Sequence, residues 1–423
     1  MKEYIAKKYI FAAVFMVVLY ALSISNLIFS FDNLKEDMYE ANKNIKTGNI
    51  EEVLDSVNSV IDTLDTSINN NVENKYKYIE LFGLYNKVLG KYEYNGFSVI
   101  KDKNDNLFNG NPWSFNLVNE VPTDVLAKRV YNMQKKLDGT DTQLYVLSMP
   151  LRTASEYINV EPGAYVQDYS SVADSYLYYC DVFNINTIDF RIVMKKSGLE
   201  YDDLFFKTDH HWTPQAAFIS FQYLVNELKK DGYDLDITGE YTDINNYNIE
   251  NYEECWLGTH GIKTGASYIE KLESIKIISP KFKTDFEYSY RYSGDKYTIK
   301  EEGSFDETLL NREHIYEQQR NDFYEGSAYS VYLNGVCEYD RIINKKNPDG
   351  PKVLFIRDSY TSPLASFFAN LCSEVEMIWA KEYSGSIEEL VENGDYDFVF
   401  ISTWPENLAE DSFNFYIGEY EEV

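Results

Sequence analysis

"KVLFIRDSYTSPLASFF", residues 352–368, reads as a hydrophobic run ending at Ile356, a short polar turn, and a helix carrying Leu364, Phe367 and Phe368. A short strand that is apolar throughout and leads into a helix fits a parallel sheet covered on both faces. Similar runs recur beyond residue 95: "GFSVI" (96–100), "QLYVLSM" (143–149), "VFNINTI" (182–188), "EVEMIWA" (374–380) and "DFVFIS" (397–402). Helical patterns fill gaps at 120–137, 214–230 and 361–372. The alternation predicts an α/β fold with a parallel sheet between layers of helices. Between about 240 and 340 the pattern changes, and "SIKIISP", "FEYSYRYS" and "KYTIKEE" alternate like antiparallel strands. A β-rich insertion packed beside the sheet is expected there.

Bulk properties narrow the function classes. At 423 residues the chain exceeds one small core, which favours a large α/β domain plus extra segments. A formal charge of −30 argues against nonspecific nucleic-acid binding and against a role on an anionic lipid face. The 38 tyrosines and 25 phenylalanines suit carbohydrate faces, although ordinary sheets use tyrosine too. Cys180, Cys255, Cys337 and Cys372 lie far apart with no CxxC pair, which is neither a zinc-ribbon spacing nor a disulfide-dense scaffold. One or two disulfides stay open.

The N-terminus sets the compartment. Lys2, Lys7 and Lys8 precede an apolar run from Tyr9 to about Phe31, and a spanning helix needs about 20 such residues. Residues 1–31 therefore read as a cytoplasmic N-terminus and a transmembrane signal-anchor, oriented by the lysines. The rival is a cleaved signal peptide, with "ALS" (21–23) as the cleavage site. Either reading exports everything from residue 32 onward. Residues 32–91 are expected to form a helical stalk, because Val53, Val57, Val60, Leu64 and Ile68 recur at helical spacing. A helix folded back on the domain would show the same pattern. Residues 92–423 form the expected catalytic domain.

Two loops can carry chemistry where an open α/β sheet binds ligands, beyond the carboxyl ends of its strands. In the first, Ser359 lies between a strand end and a helix N-terminus, where free N–H groups could hold an oxyanion. A plain helix N-cap is the alternative role. The second loop is "LFFKTDHHWTPQAAF" (204–218), which holds two of the four histidines. Residues two apart in an extended segment project to one side, so Asp209 can orient His211 as the base for a serine nucleophile. His210 would then point away, in a supporting role at most. Trp212 could shield the site, offer a sugar platform or anchor the core, and Thr213–Pro214 fit an N-cap and N1 pair. A metal reading, with His260 or His314 completing Asp209, His210 and His211, lacks HxxxH or cysteine-pair support. No metal is expected.

At this point "KTDHHWTPQAA" and "VLFIRDSYTSPLASFF" resemble the hallmark blocks of the DHHW proteins, relatives of the alginate O-acetyltransferase group with an SGNH-hydrolase-like fold. Supporting stretches are "VIKDKNDNLFNG" (99–110), "LYVLSMPLRTASEY" (144–157) and "WLGTHGIKTGASY" (256–268). The resemblance implies a three-layer α/β/α domain from about residue 96 and a catalytic triad of Asp209, His211 and Ser359. It also implies acetyl transfer to polysaccharide hydroxyls outside the cytoplasmic membrane. A multi-spanning membrane O-acyltransferase would then be the partner that delivers acetyl groups. No nucleotide-binding glycine loop is visible, and no cofactor is expected. Arg357 stands where the resemblance leads one to expect glycine, and His210 where threonine is common. His210, Trp212, Arg357 and Tyr360 are the candidate substrate-binding or supporting residues. The N–H groups of Ser359 and Tyr360 are the candidate oxyanion donors. The competing expectation is a non-catalytic, membrane-tethered glycan-binding or scaffold protein with vestigial loops.

Overall fold

The computed structural model describes residues 2–43, 50–110, 122–409 and 413–417. It divides into two compact units, Met1–Phe82 and Gly83–Val423. In the first, helices α1 (Lys2–Lys43) and α2 (Ile50–Asn70) pack on each other. Within α1, the span Lys7–Tyr39 contains an 18-residue window of mean hydropathy 2.2, none of which is buried. At 1.5 Å per residue such a helix exceeds the roughly 30 Å hydrocarbon thickness of a bilayer. The expected stalk is thus divided among the end of α1, α2 and α3 (Lys75–Val88). Residues 44–49 of the expected stalk lie outside the described residues.

In the second unit, strands β1 (Glu93–Tyr94), β2 (Val99–Lys101) and β3 (Leu107–Asn109) form a small antiparallel sheet. "GFSVI" therefore contributes to this satellite rather than to the main sheet. The alternating segments continue with α4 (Thr123–Lys136), β4 (Gln143–Ser148), α5 (Ser170–Val182), β5 (Asn186–Asp189), α6 (Phe190–Ser197), α7 (Tyr201–Leu204) and α8 (Pro214–Lys230). Residues 120–121 of the first expected helix lie outside the described residues. Next come β6 (Tyr247–Trp256), α9 (Thr259–Thr264), β7 (Glu273–Pro280), β8 (Phe286–Arg291), β9 (Ile299–Gly303), α10 (Phe305–Thr308) and α11 (Glu313–Arg320). The chain closes with β10 (Tyr339–Asn344), β11 (Lys352–Ile356), α12 (Thr361–Phe368), β12 (Glu374–Ile378), α13 (Ile387–Asn393) and β13 (Phe398–Thr403).

The main sheet has eight strands in the order β5-β4-β13-β11-β12-β10-β8-β9. The first five are parallel and the last three antiparallel, so the sheet is mixed. Burial explains the division. Strands β11 and β13 are buried at nearly every position, as strands covered on both faces must be, whereas β8 and β10 bury alternate residues. Along β11, Val353 and Phe355 join a core with α8 and α12, while Leu354 and Ile356 join a second core with α4, α5 and α13. These are the two helical layers of an α/β/α sandwich. The expected insertion is split. Strands β6 and β7 form a separate two-stranded sheet, but β8 and β9 reach the main sheet through β10 and extend it. All four cysteines are buried and free, so no disulfide joins them.

Candidate active site

Ser359 lies three residues beyond the end of β11 and two before α12. The cap position of α12 is held by Tyr360 with no side-chain cap bond, so Ser359 is not the helix cap. Its Oγ is instead 2.7 Å from Nε2 of His211. On the other side of that ring, Nδ1 is 2.5 Å from Oδ1 of Asp209. An ionised carboxylate can only accept, so Nδ1 carries the proton and Nε2 presents its lone pair to the serine hydroxyl. Burial alone would raise the Asp209 pKa. The neighbouring imidazoles and the donors on its oxygens hold it well below the usual carboxylate range.

The Asp209–His211 contact arises differently from the extended segment expected. Residues 207–211 form a bend, and Oδ1 of Asp209 also accepts the backbone N–H of His211 at 2.9 Å. An aspartate that bonds the N–H two residues on makes an Asx turn, and here the turn aims the imidazole. The other carboxylate oxygen accepts both the N–H and the hydroxyl of Thr259, each at 2.8 Å. Thr259 opens α9 after Gly258, where an added Cβ would sit 2.5 Å from both Cβ of Asp209 and the Thr208 carbonyl. Only glycine lets the two loops approach so closely.

Further groups hold the bend. Arg152 donates to the carbonyls of Asp209 and Lys207 and to the Tyr201 hydroxyl. Glu273 accepts the Thr208 N–H at 2.5 Å, and burial pushes its pKa up to about 7. The His211 ring stacks on Tyr329 at 3.8 Å and 14°. Behind Ser359, Asp358 accepts N–H groups from Tyr360 and Trp404 at 3.0 and 2.6 Å and the Asn407 amide at 3.3 Å. Burial moves its carboxyl up to about 6.

The remaining candidates fall into place by burial. His210 does not point away from the triad: its ring lies 3.8 Å from that of His211 and 5.4 Å from Trp404. Burial first, and then the adjoining His211 imidazole, push its pKa down to about 3 and keep it neutral. Trp212 is fully buried, and its indole N–H donates to the Tyr329 hydroxyl and the Tyr360 carbonyl, both at 3.0 Å. It is an anchor with no face left for a sugar. Thr213 caps α8 through the Ala216 N–H, with Pro214 in the first turn. Arg357 is buried against Asp340 and also donates to Ser362 and the Gly335 carbonyl. Tyr360 is fully buried, its hydroxyl donating to the His210 carbonyl. Arg357 and Tyr360 thus support the loops and offer no surface to a ligand. The Tyr360 N–H is also spent on Asp358, which removes it as an oxyanion donor. The Ser359 N–H has no partner among the described residues and stays available.

Asp209, His210 and His211 bring possible metal-ligand atoms within 4.8 Å of one another. Both ring nitrogens of His211 and both oxygens of Asp209 are already engaged, so an ion there would have to break the line to Ser359. His314 bonds Asn334 at 3.2 Å and takes no part.

Residues 103–246 match the family model described as the SGNH hydrolase-like domain of the acetyltransferase AlgX. The fold is SGNH hydrolase-like. Among solved structures, a DHHW family protein from Eubacterium siraeum is 15% identical with a TM-score of 0.54, covering 74% of this chain and 92% of its own. Bacillus cereus PatB1 is 14% identical with a TM-score of 0.56, covering 75% and 99%. PatB1 with a sulfonyl adduct gives 16% identity and a TM-score of 0.57, covering 75% and 97%. At such identities the likeness is one of fold. No curated protein sequence matches the chain.

In this SGNH-like domain several contacts of the site escaped sequence reasoning. Arg152, Thr259 and Glu273 reach the loop from 50 or more residues away, and no local pattern announces them. Gly258, just before the short helix that Thr259 opens, was an available signal, since a residue without a side chain permits a close approach of backbones.

Proposed function

We propose that this protein is a membrane-anchored O-acyltransferase, O-acetyl in type, or esterase, acting on cell-surface polysaccharide outside the cytoplasmic membrane. The observation that carries the reading is the line of hydrogen bonds Asp209–His211–Ser359, at 2.5 and 2.7 Å. The family model's acetyltransferase description and the apolar helix Lys7–Tyr39 support the reaction class and the anchor.

In this mechanism Ser359 Oγ attacks the acyl carbonyl as its proton passes to His211 Nε2. The Ser359 N–H, at the positive end of α12, stabilises the oxyanion. The tetrahedral intermediate collapses, the donor oxygen leaves with the proton from His211, and an acyl-Ser359 remains. A sugar hydroxyl or water then gives its proton to His211 and takes the acyl group, and the Ser359–acyl bond breaks as His211 returns that proton to Oγ. Asp209 holds the ring in the required tautomer. Acetyl groups would come from a multi-spanning membrane O-acyltransferase, since the domain lies outside the cell in this reading.

The test is turnover of an activated acetyl ester together with labelling by a fluorophosphonate. Ser359→Ala is expected to abolish both, and His211→Ala to abolish labelling. A Ser359→Ala protein that hydrolyses the ester at the wild-type rate would remove the proposal. PatB1, solved with a sulfonyl adduct, makes a sulfonyl fluoride a sensible second probe.

A further inference from the structure

Arg152 is 1% exposed, yet it forms no ion pair among the described residues. All its acceptors are neutral: the Asp209 and Lys207 carbonyls and the Tyr201 hydroxyl at 3.1 Å. Its guanidinium also lies 4.6 Å from the Phe108 ring centroid, on β3 of the satellite sheet. A buried cation without a carboxylate is costly, and natural proteins pair it almost without exception. Arg357, equally buried in the same domain, does have its aspartate. The unpaired charge of Arg152 therefore calls for an account.

We propose that Arg152 is a positioning residue that clamps the bend bearing Asp209 and His211 and serves, across the peptide group of residue 209, as the counter-charge to the Asp209 carboxylate. The inference rests on the function proposed above and extends it to a residue that touches no substrate. Guanidinium geometry explains the choice of residue, because one planar fork reaches two carbonyls two residues apart and so fixes the curvature of the bend. A cation at this point also favours the ionised carboxylate and opposes protonation of the imidazoles nearby. Facing the Asp209–His211 pair are His210, Asp358, Tyr329 and Tyr360, with His260, Lys263 and Glu273 behind the loop. Two side chains register the charge: His260 is held far below its ordinary value by burial and then by Arg152, and Arg152 itself, against its burial, is raised by Tyr201, Tyr360 and Asp209.

The experiment separates charge from geometry in the full-length chain in detergent. Arg152→Lys keeps the charge but loses the fork. It should lower kcat for the activated ester about 100-fold, the scale of a misplaced catalytic group, with KM unchanged and the acid limb of the pH–rate profile unmoved. Arg152→Met loses both, so kcat falls and the acid limb moves to higher pH, because the Asp209–His211 pair then holds its proton more tightly. A folded Arg152→Met protein with wild-type kcat and an unmoved acid limb overturns the proposal. If that variant fails to fold, Arg152→Lys decides alone, and wild-type kcat there overturns it equally. Failure of the underlying reading looks different, since Ser359→Ala would then keep its activity whatever the Arg152 variants did.

Discussion

Thr259 gives two hydrogen bonds to one oxygen of Asp209, leaving the other oxygen for His211. Thr259→Val keeps the N–H and removes the hydroxyl. A hydrogen bond to a charged group contributes about 1.5 kcal/mol or more, so kcat for ester hydrolysis should fall about tenfold with KM little changed. Gly258→Ala drives a methyl group against Asp209 and Thr208. It should cost about 1–3 kcal/mol in a denaturant melt and slow fluorophosphonate labelling as well. At this scale the sequence was legible where chemistry is local. Asp209 and His211 are two apart, and a two-residue separation allows a direct contact in either an extended segment or an Asx turn. Thr259 and Arg152 were not legible, because their role depends on loops that only the fold brings together.

Among elements, the junction between β11 and α12 matters most. Arg357, just past β11, pairs with Asp340 on β10, two strands away across β12, where the sheet changes from parallel to antiparallel. Both side chains are fully buried. Arg357→Met leaves Asp340 uncompensated and should lower stability by about 3–5 kcal/mol, read from urea unfolding. The residue that departs from the expected glycine therefore has a structural task. Trp212 ties the residue after His211 to Tyr360 and Tyr329. Strands and helices with uniform burial or clear caps, such as β11, β13 and α8, could be read from their own residues. The placement of β8 and β9 could not, because alternating burial describes an antiparallel strand equally well in a separate sheet and on the edge of the main one.

At the scale of the whole molecule, stability carries a pH signature set by buried carboxyls. Glu273 is raised from 4.5 to about 7, so the folded protein binds more protons than the unfolded chain in that window, and stability falls as pH rises through it. Asp209 acts oppositely, being lowered, and its contribution is lost as pH falls below the ordinary carboxylate range. Glu273→Gln removes the first effect. Urea midpoints measured across the window should show a flatter slope, with the variant gaining on the order of 2 kcal/mol relative to wild type at the alkaline end. The apolar span Lys7–Tyr39 leads to a further expectation: the full-length protein resists carbonate extraction from membranes.

By itself the sequence determined the apolar span, the run of buried strands with their covering helices, and the two loops rich in rare reactive residues. These follow from periodicity, composition and spacing, which are properties of neighbours along the chain. Only the tertiary structure decided that Ser359 meets His211 across 148 residues, that Tyr360 spends its N–H on Asp358, and that Arg152 lies beneath the bend with no ion pair among the described residues. Contacts of that kind are set by strand order and loop approach in three dimensions, where sequence separation carries no distance information.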